Sequence, residues 1–123
     1  MTIRELYSEI GGNYDQAVRV MKMDKLIDRY VRKLKNSSLD EKLAAAASTM
    51  DATQLFESAH AMKGVCSNLG LEALAAAADE ITEEFRGGNA RRLSDDEVRS
   101  RLDDILAMYR RAVEGIERYE REA

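Results

Sequence analysis

Not one proline interrupts this 123-residue sequence, and five of its seven glycines sit at three places, Gly11-Gly12, Gly70 and Gly87-Gly88. A helix interior tolerates proline least, at about 3 kcal/mol, with glycine next at about 1 kcal/mol relative to alanine. Long stretches free of both, rich in Ala, Leu, Glu, Lys and Arg, predict helices separated at those glycines and at short polar turns.

Start signals divide the stretches. Thr2 with Glu5, Ser38 with Glu41 and Ser94 with Glu97 have the spacing of a capping box. Asn13 is placed to cap a second segment, and Asp51 with Gln54 opens another. Asp24 resembles an N-cap after a break or kink near Lys22-Met23-Asp24. Apolar residues then recur at helical spacing: Ile3, Leu6 and Ile10; Ala17 through Leu34; Leu71, Leu74, Ala78, Ile81 and Phe85; and Val98 through Tyr119. The alanine run from Ala44 to Ala47 is a good helix former. Alanines at 59, 73, 75, 76, 77 and 78 allow close approach of two central helices. The expected architecture is all-α: an antiparallel four-helix bundle over about residues 24–121 with additional short N-terminal helices, as a single domain spanning 1–123.

The one histidine, His60, stands out within the helix that follows Asp51. At about 100° per residue, Leu55, Ala59, Met62, Cys66 and Leu69 gather on one side, and His60 lies nearly opposite. Phe56, Lys63, Gly64 and Ser67 share its face at offsets of three, four or seven. Each has a plain and a chemical reading. His60 is an incidental surface residue or an exposed nucleophile. Lys63 is a solvated cation or a charge partner for a phosphoryl group on the imidazole. Gly64, costly inside a helix, invites close approach by another protein. Phe56 offers an apolar contact to a partner or packs on an N-terminal helix; Ser67 bonds a phosphate or faces water.

The run His60-Ala-Met-Lys63-Gly64, continued by Val65-Cys-Ser-Asn-Leu-Gly70, resembles the central motif of histidine-containing phosphotransfer (HPt) domains, the helical carriers of multistep two-component phosphorelays. The motif covers about a dozen residues, and the bundle pattern nearly the whole chain. The resemblance implies that His60 carries a phosphoryl group on its distal ring nitrogen, that Lys63 balances its charge and that Gly64 admits a receiver domain. It also implies a Gln or Glu on the next helix that orients the imidazole. That position falls near Thr82, with Asp79 and Glu83 as neighbouring alternatives. Partners would be response-regulator receiver domains and a hybrid histidine kinase. The receiver supplies the magnesium and acidic residues, and the carrier needs no intrinsic cofactor or metal. The rival reading is a helical adaptor that binds a receiver without carrying phosphate.

Composition narrows the rest. A net charge of −4 and a pI near 5.1 give no global attraction to nucleic acid or anionic membrane. No apolar run approaches the roughly 18 residues of a spanning helix, and no signal-peptide pattern opens the sequence. One cysteine excludes an internal disulfide and fits a reducing compartment, the cytoplasm; one histidine and one cysteine argue against structural zinc. No phosphate-binding loop or kinase signature is present, which points to a carrier rather than an autonomous kinase. A monomer suffices for that chemistry.

Overall fold

The computed structural model describes residues 1–122. Among them are seven helices and no strand: α1 (Ile3–Ile10), α2 (Tyr14–Met21), α3 (Asp24–Leu34), α4 (Leu39–Thr49), α5 (Ala52–Asn68), α6 (Glu72–Glu84) and α7 (Asp95–Glu122). The chain is therefore all-α. Helices α4 to α7 pack around the main core, α3 lies along α7, and α1 and α2 are the short N-terminal additions.

Local chemistry explains most boundaries. Thr2–Glu5 and Ser94–Glu97 form reciprocal capping boxes, with the Glu5 and Glu97 N–H groups donating to the Thr2 and Ser94 hydroxyls at 3.1 Å. Asp51 accepts from the Gln54 N–H at 2.9 Å and starts α5. Lys22, at φ 74°, ends α2; the next N-cap is Met23 rather than Asp24, and it makes no side-chain cap bond. The Ser38–Glu41 capping box is absent because Ser38 takes the left-handed conformation, φ 61°. Its turn is held instead by tertiary bonds: the buried Tyr109 hydroxyl of α7 donates to the Leu34 carbonyl at 2.7 Å and lies 2.8 Å from the Ser37 hydroxyl.

The α5–α6 hairpin positions the site. Gly70, at φ 73°, follows α5; its N–H donates to the Ser67 carbonyl at 3.1 Å and the Leu71 N–H to the Cys66 carbonyl at 2.9 Å. This is the Schellman ending, in which a left-handed residue satisfies the last carbonyls of a helix. Ala59 and Ala78 are buried where α5 and α6 pack, while Ala73 and Ala76 face solvent. The N-terminal helices cover the hairpin turn. Tyr7 donates its hydroxyl to the Leu69 carbonyl at 2.6 Å, and the Asn13 N–H donates to the Gly70 carbonyl at 2.7 Å. Leu6, Leu43, Leu55, Met62, Ile81, Leu102 and Ile105 are buried in one continuous core. No helix among the described residues is long and apolar enough to cross a membrane.

Candidate functional site

His60 is the middle residue of the 17-residue α5. Leu55, Ala59, Met62 and Cys66 of that helix are fully buried, whereas His60, Ala61, Gly64, Val65 and Ser67 are exposed. The apolar stripe thus anchors one side of α5 and turns the imidazole outward. Cys66, on the buried side, is no nucleophile: burial pushes its thiol up to about 12.

The imidazole stacks on Phe56, one turn earlier, with ring centroids 5.6 Å apart and planes 11° from parallel. The Arg86 guanidinium, just beyond α6, lies 5.2 Å from the centroid of the same Phe56 ring. Phe56 is half-buried, and it packs against the core as well as beside His60. A Cβ built on Gly64 would meet nothing within 4 Å. Ser67 lies two turns beyond His60, about 10 Å along the helix axis at 1.5 Å per residue. That distance leaves it exposed on the same helix but away from the imidazole.

The three α6 residues considered as orienters of His60 are engaged elsewhere. Thr82 is fully buried and its hydroxyl donates to the Ala78 carbonyl at 2.9 Å, within its own helix. Asp79 faces Lys63, whose Nζ is 2.8 Å from Oδ1. That contact is one of charge, since Oδ1 accepts no aligned hydrogen bond. Glu83 pairs with Arg86 at 3.0 Å and accepts from the Asn89 amide. Arg86, through its hydrogen bonds and charge, holds the Glu83 carboxyl below the usual carboxylate range, with Asn89 and Lys63 adding to the effect. Among the described residues, no side chain hydrogen-bonds the imidazole; its one aromatic neighbour is the Phe56 ring it stacks on. Arg86 is the site residue that sequence reasoning missed. Its Glu83 partner was visible at i,i+3, but its place over Phe56 depends on how the hairpin aligns two helices.

A second polar cluster closes the α6–α7 connection. Glu84 is buried and accepts from Arg91 Nε at 2.8 Å, the Leu93 N–H at 2.9 Å and the Arg92 N–H at 3.0 Å. Burial alone would raise its pKa, but these donors outweigh it and hold the carboxyl below its ordinary range.

The site is thus one exposed histidine at mid-helix in a helical bundle, with a lysine and a bare glycine within a turn of it. The family model described as Hpt domain matches residues 23–112, most of the chain, and the chain belongs to that family. No curated protein and no solved structure gives a significant match.

Proposed function

We propose that this chain is a phosphorelay intermediate that takes a phosphoryl group onto His60 from a receiver-domain aspartate and passes it to a second receiver. Membership of the HPt family supports phosphocarrier chemistry in general. The observation that carries the specific reading is the pairing of an exposed His60 with Gly64. A mid-helix glycine costs about 1 kcal/mol relative to alanine. Nothing in the chain's own packing asks for it, because a side chain there would project into open space. Its use is therefore to let a partner's surface come close to the imidazole.

The chemistry is an in-line displacement. A ring nitrogen of neutral His60 attacks the phosphorus of the receiver's aspartyl phosphate. The P–N bond forms as the acyl P–O bond breaks, and the electron pair of that bond returns to the aspartate as carboxylate. The other ring nitrogen keeps its hydrogen, so the ring is cationic until that proton passes to water. Lys63, one turn along α5, offers an ammonium to the new phosphoryl oxygens. Magnesium and the acidic residues that hold it belong to the receiver. The phosphate would be handed on by the reverse of the same step, without a nucleotide site on this chain. Action as a monomer in the cytoplasm belongs to the same proposal.

The test is reconstitution with a phosphorylated donor receiver and an unphosphorylated acceptor receiver. Label is expected to reach the acceptor only when the chain is present. Direct passage between the receivers at the same rate without the chain, or none with it, would contradict the proposal.

A further inference from the structure

Asp79 and Glu83 stand one turn apart on α6, and each holds a cation of the His60 face. Lys63 Nζ lies 2.8 Å from Asp79 Oδ1, and Arg86 Nη2 lies 3.0 Å from Glu83 Oε1. The four charges also interact crosswise, Lys63 with Glu83 and Asp79 with Arg86. Before any phosphoryl group arrives, Lys63, one turn from His60, and Arg86, over the Phe56 ring on which His60 stacks, are already paired with carboxylates. Asp79 is a partly exposed carboxylate whose Oδ1 lies under the Lys63 ammonium and accepts no aligned hydrogen bond, so Lys63 is its counter-charge.

A phosphoryl group adds roughly two negative charges and three strong acceptor oxygens at this place. Lys63 cannot serve that group and Asp79 equally. If the ammonium turns to the phosphoryl oxygens, Asp79 loses its counter-charge, a partly screened cost for a partly exposed pair. If it stays, the phosphohistidine goes without it. Either way the carboxylate disfavours the loaded state. We propose that Asp79, supported by Glu83, sets how weakly His60 holds its phosphoryl group, by competing with that group for Lys63 and Arg86. The inference rests on His60 being the carrier. The carboxylates bias the equilibrium toward the receiver's aspartyl phosphate, which keeps an intermediate from becoming a sink. Asp79 is thus a tuning residue that acts through Lys63, not an orienter of the imidazole.

The experiment uses the whole chain as wild type, Asp79→Asn, Lys63→Ala and the double variant, with retained helicity checked by circular dichroism. Each protein is loaded with phosphoramidate, a small donor that needs no receiver, and the phosphohistidine lifetime is measured. The equilibrium constant for exchange with one phosphorylated receiver is measured in parallel. That constant depends on the free species alone, so altered docking does not move it. Asp79→Asn is expected to lengthen the lifetime and shift the equilibrium about two- to five-fold toward phosphorylated His60, the range a partly exposed ion pair allows. The effect should largely vanish in the Lys63→Ala background and shrink in 1 M salt, where the screening length is about 3 Å. Glu83→Gln should move the equilibrium in the same direction. Wild-type lifetime and equilibrium in Asp79→Asn, or an equal shift with Lys63 removed, would overturn the competition. Should wild type load from phosphoramidate but never from a receiver, the carrier proposal fails by itself, and the lifetimes still decide the competition.

Discussion

Two glycines show how one residue type serves opposite ends. At Gly70 the left-handed φ of 73° is required, and a Cβ would strike the Asn13 carbonyl that crosses the hairpin turn. Gly70→Ala should cost about 2 kcal/mol or more, measured by chemical denaturation. At Gly64 the same replacement meets only solvent. Gly64→Ala should stabilise the fold by about 0.5–1 kcal/mol through helix propensity, while a bulky Gly64→Leu keeps the helix and weakens receiver docking. Equal destabilisation at both sites would contradict this division. Cys66 carries a pH prediction. Burial lifts its thiol from an ordinary 9.0 to about 12. Between those values the unfolded chain has released a proton that the folded chain retains, so stability falls as pH rises across that window. Native protein should resist alkylation at pH 8.5 and react once unfolded; fast native labelling would contradict the buried assignment.

At the level of elements, the α6–α7 connection depends on one carboxylate. Glu84 gathers Arg91 and two backbone N–H groups in a place with little water. Glu84→Gln removes the charge and leaves one oxygen where two accept, which should cost about 2 kcal/mol. Because the donors hold the Glu84 carboxyl below its ordinary range, its contribution is present at neutral pH and lost as pH falls through the folded value. Acid unfolding should therefore be less steep in Glu84→Gln; identical acid profiles would contradict the role. The helices themselves were legible, because capping residues and 3.6-residue periodicity are local signals. Thr2, Asp51 and Ser94 cap as their spacing says. Ser38 does not, because Tyr109, some seventy positions away, fixes the preceding turn and leaves Ser38 left-handed. The exposed face of α5 was legible for the same local reason. What Asp79, Thr82 and Glu83 would do was not, since it depends on the alignment of α6 against α5. The same register hid Arg86.

For the whole molecule, the family match begins at residue 23, after α1 and α2, and stops at residue 112, well short of the end of α7 at Glu122. The flanking parts are nonetheless built into the fold. Leu6 and Tyr7 are buried against the bundle, Gly115 of α7 lies against Ile10, and Arg118 pairs with Glu9. A piece spanning residues 23–123 should keep its helices and lose roughly 3 kcal/mol or more, since two large buried side chains go with α1. An unchanged melting temperature would show that α1 and α2 are dispensable to the bundle. The N-terminal helices cover the turn of the hairpin that carries His60, and so they support the scaffold of the site.

The carrier role of His60 is tested most directly by where the phosphoryl group goes. A phosphorylated receiver mixed with the chain should transfer label to His60 as an acid-labile, hydroxylamine-sensitive species, and His60→Gln should take none. Label that persists on His60→Gln, or a wild-type chain that stays unlabelled while it binds the receiver, would contradict that role.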